Sequence, residues 1–184
     1  MAKKKQVGSN IRLNRMTKRN LRDFNKTEAQ GWVIERSIHI EQNINYIIFH
    51  YFQPENSGQF LNMVLNSSVM HYGGKLKVLK AIGVEKSTYS QLQQIGSIRN
   101  AFAHTPMNQQ MTISYEGDKK PVVETRDNIS VMNSQGDIIS KDPYEYLVEF
   151  LGLYNTVEPV LREMYELYRS KDKKQKAIDD SRQK

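Results

Sequence analysis

Leu92-Gln93-Gln94-Ile95-Gly96-Ser97-Ile98-Arg99-Asn100-Ala101-Phe102-Ala103-His104 is the stretch on which the fold turns. Its apolar residues Leu92, Ile95, Ile98 and Phe102 recur at three- and four-residue intervals, the spacing of one face of an α-helix. With Ile95 set at zero on a helical wheel, the other three fall within about 60° of it. Arg99 lies about 40° away, at the edge of that stripe, whereas Asn100 and His104 share the opposite side. The helix so defined runs from about Ser87 to His104 and stops at Thr105-Pro106, because proline disfavours helical geometry in the residue before it.

Working outward, Thr27 reads as the N-cap of a long helix that ends before Pro54 at about Phe52. Val33, Ile40, Ile44, Ile47, Ile48 and Tyr51 form its core arc, with Glu41 inside it. On the other side Trp32, His39, Asn43, Tyr46 and His50 follow a seven-residue recurrence, which implies a second contact face. That face is expected to meet either a second subunit or the chain's own bundle. A further helix is expected over Phe60–Val69, broken at Gly73-Gly74 and resumed over Lys75–Ile82. Between about 111 and 140 the pattern changes to alternation, as in Met111, Ile113 and Tyr115, punctuated by Glu116-Gly117-Asp118 and Gln135-Gly136-Asp137. This predicts an antiparallel insertion of three or four strands. Asp142-Pro143 then opens a last helix carrying Leu147, Phe150, Leu151, Tyr154, Val157, Leu161, Met164, Tyr165 and Tyr168, with a kink expected at Pro159. The expected fold is mainly α, a four- to five-helix bundle with a small β-insertion between the last two helices.

The chain has 184 residues, 38% hydrophobic and 26% charged, with no cysteine. That is one domain's worth of core, without disulfides, thiolate nucleophiles or cysteine zinc sites. No apolar run reaches the length of a membrane span, so no membrane partner is expected and a reducing cytoplasm is the expected location. The net charge of +7 is unevenly spread: residues 1–26 carry +8, 169–184 carry +4 and 27–168 carry −5. The expected organisation is therefore a basic arm over 1–26, a helical domain over 27–168 and a basic tail over 169–184. Basic ends suit a nucleic-acid backbone, with Arg12, Arg15, Lys18, Arg19 and Lys75 as candidate phosphate contacts. Solvated termini and a solvated helix face are the plain alternatives.

The chemistry concentrates at Arg99, Asn100 and His104. An unpaired guanidinium in a seam between helices is costly, and Glu41, the acid in the first helix's apolar arc, is the expected partner. His104 points outward, where it can meet a substrate or a second subunit. An imidazole can move a proton near neutral pH and a guanidinium can hold a phosphate, so the set can cut RNA without a metal. The same residues can equally form a structural cap with a buried ion pair. His39, His50 and His71 have no metal-ligand spacing, and no metal or cofactor is expected.

Arg99-Asn100-x-x-x-His104 near the end of a helix in an all-helical domain resembles the HEPN superfamily, with its Arg-x4–6-His motif. The Phe102-Ala103-His104 ending followed by short strands resembles, more narrowly, the mannitol-operon repressor branch. The resemblance covers about residues 27–168; the basic ends fall outside the family's pattern. It implies a metal-independent endoribonuclease, usually a dimer that joins two motifs in one cleft, in the role of a toxin or defence effector with an antitoxin or regulatory protein. His104 would act as acid and base, Arg99 would hold the phosphate, and Asn100 would orient the histidine or a phosphate oxygen, with Glu41, the partner expected from the helix geometry, as support for Arg99. One histidine cannot easily serve as acid and base together, which is a physical reason to expect a homodimer with the two His104 side chains close. The alternative is a non-catalytic dimeric regulatory module of the same fold that binds nucleic acid or a protein partner.

Overall fold

Asn25, not Thr27, caps the first helix. The computed structural model describes residues 25–104, 107–114, 122–132 and 137–182, and its first helix, α1, spans Lys26–Phe52. The Asn25 side chain accepts from the Glu28 backbone N–H, and the Glu28 carboxylate accepts from the Asn25 backbone N–H, each at 3.0 Å. This reciprocal pair satisfies two donors that a helix start leaves open. The helix stops at Gln53, whose left-handed backbone (φ 48°) precedes Pro54.

A single turn, α2 (Ser57–Gln59), runs into a π-helical segment, Phe60–Val64, so the helix expected to reach Val69 ends earlier. Helix α3 spans Tyr72–Ala81, with Gly73 and Gly74 inside its first turn and not at a break. Helix α4, Lys86–His104, matches the expected span to within a residue. Strands β1 (Met107–Ser114), β2 (Val122–Met132) and β3 (Ile138–Lys141) then form one antiparallel sheet in that order. Its register pairs Met107 with Ile129, Ile113 with Val123 and Val131 with Ile139. Asp142 accepts from the Tyr144 backbone N–H at 2.6 Å at the head of the last helix, α5. That helix spans Pro143–Arg182 and includes Pro159 as an exposed helical residue. The protein is mainly helical, with a small sheet between α4 and α5.

The core joins the arcs read from the periodicity. Val33, Ile40, Ile44, Ile47 and Ile48 of α1 lie in one buried cluster with Leu92, Ile95, Ile98 and Phe102 of α4 and Phe150, Val157 and Leu161 of α5. Tyr51 departs from its arc and is 44% exposed.

The second face of α1 is covered from within the chain. Trp32 is buried edge-on to Phe150 at 5.5 Å between ring centroids. His39 Nδ1 is 2.8 Å from the Tyr154 hydroxyl, Tyr46 packs on Tyr165, and His50 Nδ1 meets the Asp172 carboxylate at 2.9 Å. The pairs advance together along both helices, so α1 and α5 lie side by side in the same direction. Of the two expectations for this stripe, the chain's own bundle is the one found: the stripe is the seat of α5. The tail boundary shifts too, because α5 continues past residue 168 and Asp172 is buried at 4% exposure. Arg12, Arg15, Lys18 and Arg19 lie outside the described residues. Among the described residues no helix is long and apolar enough to cross a membrane.

Candidate functional site

Helix α4 divides its residues by face. Leu92, Ile95, Ile98, Ala101 and Phe102 are buried. Tyr89, Gln93, Gly96, Ser97, Asn100 and His104 follow one another at intervals of one, three or four residues on a second face. Arg99 lies between the two and is half-buried, whereas Asn100 and His104 are exposed. The Arg99 guanidinium donates to the Asn100 side-chain oxygen at 3.4 Å. Among the described residues it meets no carboxylate.

The expected Arg99–Glu41 pair does not form, because Lys75 takes the acid. Lys75 is wholly buried, and its ammonium donates to Glu41 Oε1 at 2.5 Å. The Ser67 hydroxyl donates to the same oxygen at 2.7 Å. Burial by itself pushes the Glu41 carboxyl up, but these hydrogen bonds and the positive charges of Lys75 and Arg99 outweigh it and hold the group below its ordinary value. Arg99 thus acts on Glu41 through its field and not through contact. Lys75, read as a phosphate contact, is a buried counter-ion with no surface to offer nucleic acid.

Tyr72 occupies the seam where an Arg99–Glu41 pair would have formed. Its hydroxyl donates to the Leu92 carbonyl at 3.0 Å. Its ring lies so close to α4 that a Cβ at Gly96 would stand 2.8 Å from ring atom Cε1. Glycine is required there for that approach, not for its backbone freedom. Burial, reinforced by the negative charge of Glu41 and opposed by Arg99, pushes the Tyr72 phenol up. It is a neutral hydrogen-bond donor at physiological pH.

Outside Tyr72, α3 and α4 enclose a cleft of about 440 Å³. Arg99 and Asn100 stand at one end, Tyr89 and Gln93 line it along α4, and His71 and Lys77 contribute from the α3 side. None of its lining residues is an acid, while Arg99 and Lys77 are basic. The cleft is therefore suited to an anion. His71 sits at the N-cap of α3 with its ring 3.7 Å from where a Gly73 Cβ would be. His104 is not among the lining residues and lies one helical turn beyond Asn100.

The structure thus brings Arg99 and Asn100 together, leaves His104 alongside, and moves Glu41 and Lys75 to a supporting pair behind Tyr72. Sequence reasoning missed His71, Lys77, Tyr89 and Gln93 as cleft residues. The four-residue interval from Tyr89 to Gln93, in step with Asn100 and His104, was the signal for two of them. For His71 and Lys77 there was none, since the α3–α4 packing alone makes them neighbours of Arg99. No group of three or more His, Cys, Asp or Glu placed to hold a metal stands together among the described residues. No family model matches this chain, and neither does any curated protein or solved structure.

Proposed function

We propose that the cleft binds an RNA phosphodiester at Arg99 and Asn100, and that the protein is a metal-independent endoribonuclease of HEPN type. The observation that carries this reading is Arg99, a half-buried guanidinium without a carboxylate at the end of an acid-free cleft. Such a group is costly until an anion completes it, and its planar fork matches two phosphate oxygens. The likeness of Arg99, Asn100 and His104 to the HEPN motif supports the same conclusion.

The ribose 2′-hydroxyl attacks the adjacent phosphorus while an imidazole takes its proton. The bond to the 5′-oxygen breaks, and a second imidazole supplies that oxygen with a proton. The products are a 2′,3′-cyclic phosphate and a 5′-hydroxyl. Arg99 stabilises the charge that grows on the phosphoryl oxygens. His104 stands about 6 Å along the helix axis from Asn100, and His71 lines the cleft. One protomer therefore carries two imidazoles for the two proton transfers, and a homodimer would add the partner's pair. In a cell such an activity suits a toxin or defence effector restrained by an antitoxin or regulatory protein.

One observation favours the second reading, a dimeric regulatory module that binds nucleic acid or a protein without cutting: His104 lies outside the cleft lining. The full-length chain incubated with single-stranded RNA in EDTA separates the two. Cleavage with cyclic phosphate ends is expected, reduced about 10²–10³-fold by Arg99→Ala and abolished by His104→Ala with RNA binding retained. Binding that depends on Arg99 without any cleavage establishes the regulatory module. Absence of binding, or indifference to Arg99→Ala, overturns the ribonuclease and the RNA-binding module alike and leaves only a module that binds a protein.

A further inference from the structure

The cleft is larger than a phosphate requires. At about 440 Å³ it falls in the range of sites that enclose a whole small ligand, roughly 300–1,000 Å³. Its chemistry changes along its length: cation and amide at the Arg99–Asn100 end, aromatic ring and amide at the Tyr89–Gln93 end. Between them α4 presents Ser97, which is small and exposed, beside Gly96 and the Tyr72 ring packed on it.

We infer that this second end is a nucleobase subsite, in which a base stacks on Tyr89 and Gln93 reads its edge. The inference rests on the proposed phosphate at Arg99. Tyr89 is half-buried, and the Lys80 ammonium sits over its ring at 5.4 Å from the centroid, which steadies it as a platform. Gln93 is exposed, and its side-chain amide makes no hydrogen bond among the described residues. An amide offers an acceptor and two donors side by side, the complement of a base edge. Six residues separate Gln93 from Arg99, about 9 Å along the axis. Helical side chains lean alike toward the N-terminus, so this spacing is kept at their ends, and it is about the span from the outer edge of a base to its phosphate. The exposed surface at Ser97, beside the Tyr72 ring, takes the ribose. The cleft therefore accepts one unpaired nucleotide, and single-stranded RNA is the form that can deliver it.

Equilibrium binding of the four nucleoside 3′-monophosphates to the full-length chain tests this, with ribose 5-phosphate as the base-free control. Nucleotides should bind more tightly than ribose phosphate. Tyr89→Leu, which keeps an apolar side chain but removes the ring, should weaken nucleotide binding about 5- to 150-fold, the range expected when a base–aromatic stack is removed. Tyr89→Phe should retain it. Gln93→Ala should leave average affinity nearly unchanged and level the differences among the four bases. Equal binding of nucleotides and ribose phosphate, both dependent on Arg99, overturns the base subsite and leaves the phosphate reading standing. Nucleotide binding indifferent to Arg99→Ala overturns the phosphate reading and, with it, this placement of the base.

Discussion

Lys75 is the residue whose environment differs most from what its chemistry favours. A fully buried ammonium is tolerated only because the Glu41 carboxylate and Ser67 lie against it. Glu41→Ala should therefore cost about 3–5 kcal/mol in urea unfolding, because it strands a buried charge. The double variant Lys75→Met/Glu41→Gln should recover most of that loss, since both charges leave together. The acid limb of stability carries the same information. The folded Glu41 carboxyl lies below its ordinary value of 4.5, so its contribution is complete above that pH and is lost as pH falls through the lower folded value. Glu41→Gln should flatten this limb, and an unchanged pH profile would mean that the pair holds nothing together. Arg99 is the converse case. Its neighbouring acid is committed elsewhere, and its charge is left for the cleft.

At the level of elements, glycines in helices report what each helix face touches. Gly96→Ala would place a Cβ 2.8 Å and 3.1 Å from two atoms of the Tyr72 ring, which is anchored through its hydroxyl to the Leu92 carbonyl. It should destabilise the protein by about 1–3 kcal/mol despite alanine's better helix propensity. Gly31→Ala in α1 and Gly152→Ala in α5, with nothing within 4 Å of the added atom, should each stabilise by about 0.4–1 kcal/mol in thermal or urea unfolding. A stabilising Gly96→Ala would show that the α3–α4 seam is looser than the contact implies. These helices were largely legible in the sequence, because Ile40, Ile44, Ile95 and Phe102 sit on faces whose period depends only on local geometry. The strands were legible for the same reason, from the alternation at Met111 and Ile113. What occupies a face was not legible: Trp32 and His50 marked a second contact face of α1, but only the packing of Phe150 and Asp172 against them identifies α5 as its partner. Lys75 reads as a surface lysine until the fold sets it against an acid 34 residues away. At the site, Arg99 and Asn100 were legible as a pair, whereas His71 joins them only through the packing of α3 on α4.

Across the whole molecule, the charge is divided between an acidic body and basic ends. Residues 27–168 sum to −5 and residues 1–26 to +8. The two ends are not equivalent for a truncation experiment. Cutting α5 before Asp172 would remove a buried carboxylate from His50 and unseat the helix, so weaker RNA binding by such a variant would confuse folding with charge. The N-terminal cut is clean if it stops at residue 24, because Asn25 and Glu28 together form the cap of α1. Deleting residues 1–24 removes eight lysines and arginines, among them Arg12, Arg15, Lys18 and Arg19. The trimmed protein should unfold at nearly the same urea concentration as the full chain. Its affinity for single-stranded RNA should fall, and the slope of log K against log salt should become shallower by about 0.7 for each phosphate that the arm no longer neutralises. Cleavage at saturating RNA should persist, since Arg99 and His104 are untouched. Salt titrations of both proteins against one RNA measure this directly. Parallel lines with the same intercept would assign the attraction to Arg99, Lys77 and the cleft, and leave the arm a role in solubility alone.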